Sequence, residues 1–165
     1  MRLNLNDIAG RPGAKKPFQF SLNLDGITFP QVERLDVPFQ ARGTVANIAG
    51  ALELTGELEV SMTYLCDRCM QPVEVKETIP ITAHLAEELV DEDHPDIFLV
   101  EDGNIDLDEV FTTAFVLGLE SKFVCNADCL GLCTTCGANL NEDACACNKE
   151  VDPRLAALQQ LLDIE

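Results

Sequence analysis

Alternation of apolar and polar residues dominates the first half of the chain. Phe18-Gln19-Phe20-Ser21-Leu22-Asn23-Leu24 switches at each step, the pattern of a half-buried strand. The stretch ALELTGELEV, residues 51–60, behaves the same way. Leu52, Leu54, Leu58 and Val60 share one parity, and Glu53, Thr55, Glu57 and Glu59 share the other. Side chains on a strand point alternately to opposite faces, so the apolar parity continues through Met62 and Tyr64 to Cys66. After Cys66-Asp67-Arg68-Cys69 the alternation resumes, with Val73 and Val75 set against Glu74 and Lys76. The expectation is a hairpin whose tip carries Cys66 and Cys69.

Further along, the period changes. Residues 86–96, AEELVDEDHPD, read as an acidic loop. The segment FLVEDGNIDLDE has Gly103, Ile105 and Glu109 where a calcium loop has its sixth, eighth and twelfth positions. Its first and third positions are Phe98 and Val100, which offer no side-chain oxygen, so the calcium reading fails. From Asp106 onward, Leu107, Val110, Phe111, Ala114, Phe115 and Gly118 fall on one helical face. Asp106 followed by Glu109 resembles a capping box. A second helix is expected from Asp152-Pro153-Arg154, with Asp as N-cap, Pro at the first helical position and Leu155, Leu158 and Leu162 on the buried side. The predicted organisation is a single domain over 1–165. It comprises 1–85 mainly β, 86–104 an acidic loop and short strand, 105–120 a helix, and 121–165 a cysteine-rich segment with a C-terminal helix. In class it is α+β: an antiparallel, meander-like sheet with a packed helix.

Composition narrows the compartment and the partners. The opening MRLNLNDIAG lacks a charged-then-apolar leader, and no run of about 18 apolar residues exists, so the expected location is the cytoplasm with no membrane contact. The formal net charge is −18, unevenly spread. Residues 1–42 hold six Lys/Arg against four Asp/Glu, and residues 43–165 hold five against 25. Such a field repels phosphate backbones and favours basic partners.

The candidate chemistry lies in eight cysteines: Cys66, Cys69, Cys125, Cys129, Cys133, Cys136, Cys145 and Cys147. The last six occupy only 23 residues. A disulfide framework belongs to small secreted domains, which this chain does not resemble. A redox dithiol at Cys66 and Cys69 would normally open a helix, whereas here a strand pattern follows, and six thiols would be left over. Zinc uses all eight. Cys133-Thr134-Thr135-Cys136-Gly137 is a Cys-x2-Cys knuckle with glycine where a left-handed backbone is often needed, and Cys145-Ala146-Cys147 follows after eight residues. These four form one local four-thiolate set, and Cys66, Cys69, Cys125 and Cys129 form a second. Spacing also permits Cys66/Cys69 with Cys133/Cys136, leaving Cys125/Cys129 with Cys145/Cys147. An iron–sulfur cluster accepts the same ligands. All-cysteine sites are closed and structural rather than catalytic. His84 and His94 sit in no catalytic pattern, and no phosphate loop, nucleophile elbow or HExxH occurs, so the expectation is a non-enzyme.

These residues also resemble a known family. Cys66-Asp67-Arg68-Cys69, then Cys129-Leu130-Gly131-Leu132-Cys133, Cys136-Gly137-Ala138-Asn139-Leu140-Asn141, Cys145-Ala146-Cys147 and Asp152-Pro153-Arg154 are similar to the YceD family of large ribosomal RNA subunit accumulation proteins, across about residues 56–158. Family members often carry prolines where this chain has Leu119-Glu120-Ser121 and Thr134. The resemblance implies a factor supporting 23S ribosomal RNA accumulation and large-subunit biogenesis. Combined with the acidic charge, that role points to a partner in the large-subunit precursor, a basic ribosomal protein or another assembly factor, and leaves direct RNA contact open. The competing class is a thiol-based metal-handling or redox-sensing protein.

Overall fold

The computed structural model describes residues 1–24, 27–30, 32–87, 97–120 and 122–147. The expected terminal helix from Asp152, His94 and most of the acidic loop lie outside these residues. Contacts divide the chain into two compact units, Met1–Leu65 with Pro72–Phe123, and Cys66–Gln71 with the chain from Val124 onward.

Among the described residues, the first unit is mostly β-sheet with two helices. Its elements are β1 (Arg2–Asn4), α1 (Asn6–Ala9), β2 (Lys15–Leu22), β3 (Val32–Leu35), β4 (Phe39–Ile48), β5 (Ala51–Leu65), β6 (Pro72–Ala86), β7 (Ile97–Leu99), β8 (Asn104–Asp106) and α2 (Leu107–Gly118). The main sheet runs in the order β2-β4-β5-β6-β7, with β3 also on β5. β5 and β6 form a long antiparallel hairpin, in register from Leu52↔Leu85 to Leu65↔Pro72, and residues 66–71 connect them. β3 and β4 lie end to end along one edge of β5, pairing with Met62–Tyr64 and with Ala51–Glu59 respectively. The break falls at Asp36–Pro38, where Pro38 has no N–H to give a ladder.

Two features depart from a simple meander. β7 pairs with β6 in parallel, His84↔Ile97 to Ala86↔Leu99. The ten residues between them are more than a tight hairpin uses, and a parallel neighbour needs such a longer connection. β1 and β8 form a separate two-stranded antiparallel sheet. Where the calcium pattern failed, Glu101 and Asn104 exchange backbone hydrogen bonds (2.9 and 2.8 Å) around Asp102 and Gly103, both at positive φ. Asp-Gly with two left-handed residues is the usual chemistry of a two-residue hairpin turn.

α2 covers the sheet. Asp106 caps it by accepting from the Asp108 N–H at 3.1 Å. Leu107, Val110, Phe111 and Phe115 are buried. Phe111 meets Phe18 and Phe20 edge-on, and Phe115 meets Phe29 edge-on and Phe39 at a tilt. The close fit needs Gly43 and Gly56, which face each other across β4 and β5. A Cβ on Gly43 would lie 2.6 Å from the Phe18 ring and 2.4 Å from the Thr55 carbonyl, and one on Gly56 would lie 3.1 Å from Phe111. At the far end of β4, buried Asn47 donates to the Ile8 and Ala9 carbonyls (2.9 and 2.6 Å) at the C-terminus of α1. No helix among the described residues is long and apolar enough to cross a membrane.

Candidate metal centre

The second unit is built around sulfur. Two chain segments form the same knuckle. In the first, the Cys66 N–H donates to the Gln71 carbonyl (2.9 Å) and the Met70 N–H to the Cys66 carbonyl (2.8 Å). In the second, the Cys133 N–H donates to the Ala138 carbonyl and the Gly137 N–H to the Cys133 carbonyl, both at 2.8 Å. Met70 and Gly137 occupy the same place in the two turns, at φ 59° and 74°. The reversal lets both thiols of a Cys-x2-Cys pair point inward, and the residue after the second cysteine takes the left-handed backbone.

The eight sulfurs gather into two groups. Cys66, Cys69, Cys125 and Cys129 form one, and Cys133, Cys136, Cys145 and Cys147 the other, with the sulfurs of each group all within 4.8 Å of one another. The alternative grouping of Cys66/Cys69 with Cys133/Cys136 is not the one adopted. Within the first group, Cys66 Sγ is 3.9 Å from Cys129 Sγ, and Cys69 Sγ is 3.8 Å from Cys125 Sγ. A disulfide would need about 2.05 Å. A tetrahedral ion with metal–sulfur bonds of about 2.3 Å needs sulfur–sulfur edges of about 3.8 Å. The separations therefore suit four thiolates around one ion and do not suit disulfides.

The thiols within each group differ in how readily they ionise. Burial alone would push the Cys66 thiol up, but N–H groups of Cys125, Cys69 and Arg68 outweigh it and bring it down to about 6. N–H groups of Cys136 and Thr135, with the Cys145 thiol, bring Cys133 to about 6. In the opposite direction, Cys129 beside it and burial push Cys125 up to about 12. Cys136 and burial do the same to Cys147, again to about 12. Each group thus holds one sulfur below the ordinary thiol range and one above it, the second because a hydrogen bond with a neighbouring cysteine and burial both oppose its ionisation. Four thiolates at such separations coexist only with a cation among them.

Against known proteins, the family model described as "Large ribosomal RNA subunit accumulation protein YceD" matches residues 54–162. The chain belongs to the YceD family. The matched region starts within β5 and takes in both knuckles and all eight cysteines. Over its whole length, this YceD-family chain is also similar to an uncharacterized protein of Mycobacterium bovis and to uncharacterized proteins from two strains of Mycobacterium tuberculosis. Each is 28% identical over 179 residues, covering 100% of this chain and 83% of the relative. No solved structure matches.

Several residues that shape the YceD sulfur groups carry no signal in cysteine spacing. Arg68, inside the first knuckle, donates from Nη1 to the Ala127 and Cys129 carbonyls (3.1 and 2.8 Å), and its own carbonyl accepts from the Leu132 N–H (3.0 Å). Gly131 (φ 75°) passes so close to that carbonyl that a Cβ would lie 2.9 Å from it. Asn141 reaches back to the first group, donating from Nδ2 to Cys129 Sγ (3.4 Å) and accepting from the Leu130 N–H (2.8 Å). Arg68, Gly131 and Asn141 all occur in the strings that carry the family resemblance. The strings mark them without saying what they bond.

Proposed function

We propose that the protein is a zinc-stabilised, non-enzymatic factor that supports 23S ribosomal RNA accumulation and biogenesis of the large ribosomal subunit. The observation that carries the reading is the pair of four-sulfur groups, each with its sulfurs within 4.8 Å of one another, in a chain of a family described by large ribosomal RNA subunit accumulation. Cys66, Cys69, Cys125 and Cys129 would hold one zinc, and Cys133, Cys136, Cys145 and Cys147 the other. Zinc suits four thiolates in a tetrahedron, and filling all four positions with protein leaves none for water or substrate, which favours a structural role. Metal analysis should find close to two zinc ions per chain in protein purified without chelators, with X-ray absorption showing sulfur ligands only. Depletion of the protein in cells should lower 23S ribosomal RNA relative to small-subunit RNA. Recovery should follow wild-type expression and not a cysteine-depleted variant. Normal 23S levels on depletion would overturn the biological role, and an absence of zinc the metal assignment.

In this reading the partner is a basic ribosomal protein or another assembly factor on the large-subunit precursor. Eight thiolates and two divalent ions take the formal charge from −18 to about −22. That field disfavours attraction to an RNA backbone. In titrations at two salt concentrations, basic large-subunit proteins should bind and naked 23S fragments should not. Tight, steeply salt-dependent binding of the naked fragments would refute the assignment.

A further inference from the structure

The two sulfur groups differ in how water reaches them. In the first, Cys66, Cys69 and Cys129 are 0%, 2% and 4% exposed, Cys125 is half-buried, and Val124 and Leu132 pack against them. Its sulfurs also accept N–H bonds: Cys66 from the Cys125 backbone (3.3 Å), Cys125 from Asn126 Nδ2 (3.5 Å) and Cys129 from Asn141 Nδ2 (3.4 Å). In the second, only Cys133 is buried. Cys145 and Cys147 are half-buried, and Cys136 is exposed. An accessible thiolate is the one that oxidants reach, whereas a buried sulfur is inert.

The groups are also tied together. Asn141 lies in residues 137–144, the segment spanning the two cysteine pairs of the second group. That segment is held against the first group by the Leu140 N–H on the Gly131 carbonyl (2.9 Å) and by Asn141 on Leu130 and Cys129. Its two ends carry Cys136 and Cys145, so loss of an ion held between those sulfurs removes one restraint on the segment whose Asn141 donates to Cys129.

We propose that the second group is an oxidant-sensitive modification site and that Asn141, as a positioning residue, transmits its state to the first. The proposal rests on both groups holding zinc. The oxidant is a peroxide. Cys136 Sγ attacks one peroxide oxygen, the S–O bond forms, the O–O bond breaks and hydroxide leaves. A second thiolate of the group, within 4.8 Å, attacks the Cys136 sulfur; the S–S bond forms, the S–O bond breaks and a second hydroxide leaves. The two sulfurs lose two electrons and the peroxide gains two. Only two thiolates then remain at the site, which is too few to retain the ion, and Asn141 loses its anchorage.

The test uses the full-length chain, with zinc content measured first and limiting hydrogen peroxide then added. Released zinc is followed with a chromogenic chelator, and disulfides are mapped by alkylation and mass spectrometry. The first zinc should leave at least about tenfold faster than the second. The early disulfide should contain Cys136, and the second zinc should follow after a lag. A thiol reductant with added zinc should restore the starting state. Asn141→Ala should shorten the lag. Asn141→Asp keeps the acceptor for the Leu130 N–H but removes the donor to Cys129, and it should do the same. Concurrent loss of both ions from the wild type, early oxidation of Cys66 or Cys69, or an unchanged lag in both variants would overturn the proposal. Protein that holds no zinc at the outset would instead overturn the metal reading beneath it.

Discussion

Replacing Cys69 with serine should abolish protected structure around the first sulfur group while the sheet stays folded. The reason is the make-up of the second unit's interior. Among the described residues, its buried apolar side chains are Cys66, Cys69, Cys129 and Cys133, all of them cysteines. Val124 and Leu132 are only partly buried, and Leu130 is 67% exposed. A fully buried aliphatic side chain contributes about 1.5–3 kcal/mol. A structural zinc site contributes about 10–16 kcal/mol, and in such a module that binding energy is the folding energy. In the zinc reading proposed above, loss of Cys69 takes one ligand of four from the first group. Hydrogen exchange should show amides of residues 66–71 and 124–132 exchanging at unfolded rates, while those of residues 133–147, which carry the second group, and of β4, β5 and β6 retain protection. Unchanged protection at Leu132 and Met70 would mean that something other than metal holds the unit.

Phe111→Ala should cost the first unit about 3–5 kcal/mol, the range for deleting a buried aromatic ring. Phe111 is fully buried, with ring centroids 5.7 Å from Phe18 and 5.3 Å from Phe20, both edge-on. Its ring lies over Gly56, so removal leaves a hole bordered by backbone, which cannot collapse to fill it. A domain stable by about 5–15 kcal/mol would lose much of its margin. Leu117→Ala, on the same helix at 62% exposure, should change stability by about 0.5 kcal/mol or less. Denaturant midpoints of the two variants separate the outcomes, and equal small shifts would show that α2 does not anchor the sheet.

The contrast between those two positions was legible in the sequence, because the helical period of Leu107, Val110, Phe111 and Phe115 is strong. So was the β5–β6 hairpin, where alternation runs through Glu-rich strands with one polar face. β4 was not. Its inward positions are Phe39, Ala41, Gly43, Val45 and Asn47, so small and polar residues interrupt the apolar parity, for reasons only the packed rings and α1 reveal. β3 and α1 are too short for a period to show. The parallel placement of β7 depends on what three residues meet in space. In the sulfur groups, spacing identified the knuckles and left more than one grouping open. The contributions of Arg68, Gly131 and Asn141 are hydrogen bonds and close approaches between distant residues, which no local pattern encodes.

The long hairpin has a consequence for the order of synthesis. Its tip carries Cys66 and Cys69 together, but Cys125 comes 56 residues after Cys69. At about 5–20 residues per second, the growing chain carries a half-built sulfur pair for about 3–11 s. The second group, spanning residues 133–147, begins and ends within one short stretch. The sulfurs most sheltered in the finished protein are thus the ones left waiting longest while it is made.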